Sequence, residues 1–281
     1  MLSNGGLDVA DRWVSDKDRW TSVEELVLFL KQKKAYQYAG QHCRGQAVLD
    51  FGCGTGYGAD SLAEVASNVV GVDISEEVIA YCLATYSRPN LSFKRLQPDA
   101  QLEIPAGGFD VIVSFQVIEH VPDVHSYLMD LKRVLKNTGV LFITTPNRRY
   151  RLLPFQKPWN PEHFREFDAA MLEREVHLVF DSATILGIQG NEEVKAIEYG
   201  RVRQTPLKAY LYQPVVRILR RILPTRLLGK IRELRHRPNS KTPRPPTVSA
   251  KYTVDDFLVG NDLEGCLDLL VVCRNSRPGD P

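Results

Sequence analysis

Four glycines at alternate positions, Gly52, Gly54, Gly56 and Gly58, follow an acid, Asp50, that ends an apolar run. Glycine lets a backbone come close to a ligand where any Cβ clashes, so this stretch can cradle a bound group. A second acid, Asp73, closes the next apolar run, Val69-Val-Gly-Val. At the tip of a strand beside a glycine turn, that carboxylate is placed to accept both hydroxyls of a ribose. Two histidines offer proton transfer near neutral pH. His120 directly follows a strand and adjoins Glu119, whereas His163 lies in an aromatic and proline-rich segment that can fold back over the same edge. The remaining His42, His125, His177 and His236 fall in expected helices, loops or a basic insert, where a chemical role has no support.

These residues need a sheet whose loops gather on one side. An apolar run to Asp50, the glycine turn, a helical stretch over 59–66 and a strand over Asn68–Asp73 form one βαβ unit. A dinucleotide turn, Gly-x-Gly-x-x-Gly, requires glycine at 57, where this chain has Tyr57. Further strands are expected over 91–96, 110–115, 140–144, 182–188 and 266–273, seven in all. Helices are expected over 23–39, from Ser75 as an N-cap, over 127–135 closed by Asn137-Thr-Gly139, over 168–176 and over 191–199. The alternation predicts an α/β chain with a doubly wound, mainly parallel seven-stranded sheet, interrupted by a basic helical insert before the last strand. Ligands of such sheets lie at the carboxyl ends of the strands. That rule builds the site from 50–58, Asp73, Asp99, Ala100, 114–120 (beginning Ser114-Phe-Gln116) and 145–147.

The net charge of +2 conceals an uneven distribution. Residues 200–251 hold fourteen Lys and Arg against one acid, Glu233, so that segment is +13 and the remainder −11. An anionic partner is the expectation for the basic segment. Five scattered cysteines with no Cys-x-x-Cys spacing read as reduced core residues of a cytoplasmic protein. The charged first twenty residues carry no signal-peptide core, and no apolar run reaches the ~18 residues that span a bilayer. The expected layout is an N-terminal arm and helices over 1–44, a ligand-binding core over 45–200, a basic amphipathic and low-complexity insert over 201–250, and a last strand with a tail over 251–281.

Asp50-x-Gly-x-Gly-x-Gly56 resembles motif I of the class I S-adenosylmethionine (SAM) dependent methyltransferases. Gly71-Val-Asp-Ile-Ser75 resembles their second motif, and 109–120 with 133–139 resemble the regions that follow. The resemblance implies SAM as cofactor, held by Asp50, Gly52, Cys53, Gly54 and Gly56 around its cationic end. It implies Asp73 on the ribose, Ile74 against the adenine, Asp99 and Ala100 reading its edge, and Ser114 and Gln116 alongside. Gln116-Val-Ile-Glu-His120 is similar to the Glu-x-x-Glu-His element of two groups. One is the ubiquinone-biosynthesis O-methyltransferases and the other the RNA 3′-terminal ribose 2′-O-methyltransferases. In the RNA enzymes that element, with a later histidine, holds a divalent metal, and Glu119, His120 and His163 can be matched to those ligands. Gln116 stands where the first glutamate is expected, which removes one anionic ligand. The alternative is structural: Glu119 and His120 cap and wall the helix that follows.

The segment 160–167 also resembles methyltransferases that modify glycans and lipids. In the insert, Leu207, Leu211, Val215, Ile218, Leu219, Ile222 and Leu223 share one helical face, away from Lys208, Arg217, Arg220 and Arg221. Such a helix suits an anionic membrane surface, engaged over 207–237, or packing on the body as a lid or dimer element. Nucleic acid is less favoured, because stacking aromatics are few there (Tyr210, Tyr212). The expected function is O-methylation of a small or lipid-linked acceptor, a saccharide or quinone-type precursor. His120, His163 and Glu119 would serve as base or metal ligands, in a cytoplasmic or membrane-peripheral protein. The alternatives are RNA ribose 2′-O-methylation and a SAM-binding regulator without turnover.

Overall fold

The computed structural model describes residues 20, 22–97, 105–152, 156–158, 160–207 and 251–275, with 204–207 as backbone alone. The expected contacts of Asp99 and Ala100, the arm over 1–19 and the amphipathic insert from 208 to 250 lie outside the described residues. Elements follow in the order α1 (Val23–Gly40), β1 (Ala47–Phe51), α2 (Tyr57–Ala63), β2 (Asn68–Asp73), α3 (Glu76–Thr85), β3 (Leu91–Arg95) and β4 (Phe109–Phe115). After a 3-10 turn at Ile118–His120 come α4 (Val124–Val134), β5 (Leu135–Pro146), α5 (Arg148–Arg151), α6 (Ala169–His177), β6 (Ser182–Gly190), α7 (Glu192–Leu207), β7 (Phe257–Gly260) and β8 (Asp268–Arg274).

Eight strands form one sheet in the order β3-β2-β1-β4-β5-β8-β6-β7. Strands β1 to β5 pair in parallel, whereas β8 runs antiparallel to both β5 and β6. Period-2 alternation buries both faces. Val48, Val113 and Phe142 join the core under α1, α2 and α3, while Leu49, Ile112 and Ile143 join the core under α4 and α6. Because β2 and β4 flank β1 on opposite sides, the chain departs from β1 in two directions, and a crevice opens at the carboxyl ends there.

The caps follow the sequence logic. Ser75 and Asp168 accept from the backbone N–H groups of Val78 and Met171, and Asn191 accepts from Val194. Three boundaries differ from expectation. The sheet has eight strands rather than seven: Phe257-Leu-Val-Gly260 is too short to show a period, yet it pairs with β6 and buries Phe257. Helix α4 stops at Val134, and Asn137-Thr-Gly139 does not close it. Leu135 already pairs with Phe109 across a register shift, and Gly139 has no left-handed φ. Glycine is needed at 139 because an added Cβ would stand 2.6 Å from a Leu135 methyl and 2.9 Å from the Lys136 carbonyl. Helix α7 runs to Leu207 rather than ending near 199, carried on by the buried Glu198, which pairs with Arg201 one turn later. Among the described residues no helix is long and apolar enough to cross a membrane.

Candidate active site

The glycine turn is shaped first by the protein's own packing. Gly56 N-caps α2 with φ 79°, a left-handed backbone that disfavours any side chain. A Cβ at Gly52 would stand 2.4 Å from Val117, and one at Gly58 would stand 2.0 Å from the Tyr36 ring. At Gly54 an added Cβ meets nothing within 4 Å, so that is where the turn borders open space. Gly58→Ala is therefore expected to cost about 1–3 kcal/mol of stability through overpacking against Tyr36. Urea unfolding checks it, and a variant as stable as the wild type would mean that α1 does not lie over the turn.

Asp73 accepts from the N–H groups of Gly54 (3.1 Å, Oδ2) and Ser75 (2.9 Å, Oδ1). The two bonds fix the carboxylate and leave each oxygen a further lone pair. Beside it, Ile74 is 61% exposed, an uncovered apolar side chain at the carboxyl end of β2. Cys53 is buried, its thiol near the Gly54 carbonyl. Asp50 is fully buried beneath Tyr36, whose hydroxyl lies 3.2 and 3.1 Å from its two oxygens. Burial pushes its carboxyl up to about 7, the Tyr36 bond counters and the Asp73 charge adds. Ser114 does not turn its hydroxyl to the cleft. It is buried, donates to the Phe51 carbonyl (3.0 Å) and accepts from Tyr127 (2.8 Å), a strut between β1, β4 and α4.

Beyond β4 the chain makes a strained turn at Gln116, with φ 58°, the one positive φ among described non-glycine residues. Its amide donates to Thr144 Oγ1 (3.3 Å) and Asp268 Oδ2 (3.1 Å). Glu119 is buried, and its Oε2 accepts from Thr145 at 3.0 Å. Burial pushes that carboxyl up to about 8, with the nearby Asp268 charge adding and the Thr145 bond and Arg151 opposing. The 160–168 segment does fold back over this edge. The Phe164 N–H donates to the Glu119 carbonyl (2.9 Å), and Phe167 pairs with Asn147. The rings of His120 and His163 meet edge to face at 4.7 Å. One ligand atom from each of Glu119, His120 and His163 lies within 4.8 Å of the other two. Three residues separated by as many as 44 positions thus converge at the carboxyl ends of β4 and β5.

Sequence reasoning missed several residues here. Tyr36 sits on the buried face of α1, and its neighbours Gln32, Lys33 and Gln37 gave no sign of burial there. Lys31 and Asp268 are buried and bonded at 2.7 Å across 237 positions, a separation that no local pattern reveals. Glu166 is buried beside His163, and nothing in its spacing set it apart from other acids.

The parallel β3-β2-β1-β4-β5 order, an antiparallel β8 between β5 and β6, and a glycine turn at the β1/β4 crevice define a class I methyltransferase-type fold. A family model described as a methyltransferase domain matches residues 23–179, and the chain belongs to that family. A probable SAM-dependent methyltransferase of Mycolicibacterium smegmatis is 40% identical over 150 residues, covering 53% of this chain and 57% of that protein. A ubiquinone biosynthesis O-methyltransferase of Albidiferax ferrireducens is 36% identical over 107 residues, 37% of this chain and 42% of that one. The chain thus spans about half the length of the curated relatives it matches. Two solved structures align with a TM-score of 0.53. One is a possible histamine N-methyltransferase of Thermotoga maritima (14% identical, covering 90% of this chain and 95% of that one). The other is the [4+2]-cyclase SpnF (15% identical, 95% and 86%). At such identity they show the fold alone, and their two descriptions differ in reaction.

Proposed function

We propose that this protein is a SAM-dependent O-methyltransferase whose acceptor is a small or lipid-linked hydroxyl compound, a saccharide or quinone-type precursor. The observation that carries the reading is the convergence of Glu119, His120 and His163 beside the glycine turn, to which Val117 of the same loop is apposed. Relatives described as ubiquinone biosynthesis O-methyltransferases favour oxygen as the acceptor atom. The residues present fit the cofactor: Asp73 keeps lone pairs for a diol, Ile74 offers an uncovered apolar face, and the Gly54 edge is open. SAM supplies a methyl already activated on a sulfonium, so the protein must align the acceptor, exclude water and take a proton. Asp73 positions the ribose, and His163 or His120 accepts the proton of the acceptor hydroxyl.

A second reading, in which the same three side chains hold a divalent cation, rests on their mutual approach. Two imidazoles and one carboxyl suit zinc or manganese better than magnesium, which prefers an all-oxygen shell. When bound, such an ion polarises the acceptor oxygen and lowers the hydroxyl pKa. The basic segment over 207–237 would bring the active site to an anionic membrane surface carrying the acceptor.

Tritiated-methyl transfer from SAM to fractionated extract tests the reading. Label in glycan, quinone or lipid fractions supports it, label in RNA favours ribose methylation, and no label favours a SAM-binding regulator. Asp73→Ala should weaken SAM binding by about 2–3 kcal/mol, because it removes a charge-assisted bidentate acceptor. Calorimetry showing unchanged affinity would place the ribose elsewhere. Co-sedimentation with phosphatidylserine vesicles at low salt, reversed by salt, tests the membrane surface.

A further inference from the structure

Glu166 is among the least exposed acids of the described residues, 1% exposed, and the reading above gives it no part. Its Oε1 lies 3.0 Å from Nδ1 of His163 and 3.5 Å from a guanidinium nitrogen of Arg151. Its Oε2 is buried with no hydrogen-bond partner among the described residues. A buried charged group of this kind contributes little net stability, and an apolar side chain would fill the space at less cost. The arrangement therefore calls for a role beyond packing.

The geometry around it is fixed on every side. His163 and Glu166 lie three residues apart in a strap held at both ends. The His163 N–H donates to the Asn160 carbonyl and the Phe164 N–H to that of Glu119. Phe167 then pairs with Asn147 and accepts from the Arg148 N–H, and Asp168 caps α6. The His120 ring stands edge-on to His163. A carboxylate oxygen beside a guanidinium accepts and does not donate, so the proton of a neutral His163 sits on Nδ1. The lone pair is left on Nε2. Turning the ring over would put a carbon where Nδ1 is and forfeit the bond.

We propose that Glu166 is the positioning residue of His163: it fixes the Nδ1–H tautomer and presents the Nε2 lone pair at the Glu119–His120 edge. The inference rests on the reading of His163 as the group that serves the acceptor oxygen. In that step the oxygen forms a bond to the methyl carbon while the carbon–sulfur bond breaks and its electron pair stays on sulfur. The hydroxyl proton passes to His163 Nε2, and the resulting imidazolium faces the Glu166 carboxylate through Nδ1–H. The proton leaves later to solvent.

The full chain, labelled with nitrogen-15 at histidine and assigned by comparison with His163→Gln, gives a readout independent of any acceptor. Long-range proton–nitrogen spectra should show His163 as the Nδ1–H tautomer in the wild type, and a mixture or the Nε2–H form in Glu166→Gln. The fold of that variant is checked by the unchanged signals of His42 and His177. Tritiated-methyl transfer to the extract fraction labelled by the wild type should fall at least tenfold in Glu166→Gln and recover in part in Glu166→Asp. An Nε2–H tautomer in the wild type would overturn the inference whatever the acceptor. A wild-type rate in Glu166→Gln, with His163→Gln impaired, would overturn it alone. Wild-type rates in both variants would overturn the reading of His163 and this inference with it.

Discussion

Lys31→Met is expected to lower the unfolding free energy by about 3–5 kcal/mol, the range for removing one member of a buried ion pair. Lys31 projects from α1 into a site where its ammonium lies 2.7 Å from Asp268 of β8 and 3.7 Å from Glu198 of α7, all three buried. Methionine matches the stem in length and leaves two carboxylates without that cation. Glu198 keeps Arg201, whereas Asp268 loses its bonded cation and keeps the Gln116 amide. Burial by itself raises the Glu198 carboxyl, yet Lys31, the Arg201 bonds and Arg151 together hold it at about 2. A carboxyl whose folded pKa lies below its unfolded value of about 4.3 stabilises the protein above that value. The contribution is lost as pH falls from there toward about 2, so acid should destabilise the wild type more steeply than Lys31→Met. Asp268, raised mainly by burial, acts in the opposite sense: its contribution declines as pH rises above its unfolded value. Urea titrations at several pH values would decide. A variant within 1 kcal/mol of the wild type at pH 7 would show that α1 is not docked through this lysine.

The consequence reaches the cleft, because Asp268 also holds Gln116 in its left-handed turn. Resemblance alone marked Gln116 as a missing metal ligand. In the fold its amide is spent on Thr144 and Asp268, so the position ties β4 to β5 and β8. What could be read from the sequence was whatever is local. The glycine turn, the strand-end acid Asp73 and the cap at Ser75 each depend on a few neighbouring residues. The meeting of Glu119, His120 and His163 was legible because a proline-rich strap after a buried strand has few places to go except back over its edge. Long-range partners were not. Tyr36 over Asp50, Lys31 on Asp268 and Thr145 under Glu119 come from separate elements, and only the sheet order brings them together. The four-residue β7 escaped for another reason: with Phe257 inward and Leu258 outward, it is too short to establish a period.

His163→Ala and His120→Ala are the substitutions expected to act most on chemistry, lowering methyl transfer by about 10²- to 10⁴-fold for whichever ring takes the proton. The two roles open to these rings separate by chelation. A simple base needs no ion, so a chelator should leave the wild-type rate intact while one histidine variant falls and SAM affinity stays. A cation held by Glu119, His120 and His163 requires both rings, so both variants should fall, a chelator should abolish transfer, and zinc or manganese should restore it. Glu119 sharpens the distinction. With its carboxyl pushed up to about 8, it holds a proton at neutral pH, and an ion must displace that proton to gain an anionic ligand. Metal affinity should then rise with pH and be lost in Glu119→Gln, a change that keeps the side chain's shape and its bond from Thr145. If the base alone operates, Glu119→Gln should transfer methyl at a near wild-type rate, since a neutral amide replaces an already neutral acid. Full activity in both histidine variants, with and without chelator, would remove the chemical roles together. It would leave the pair as the wall of the turn into α4, which its edge-to-face packing and the Glu119–Phe164 backbone bond could equally serve.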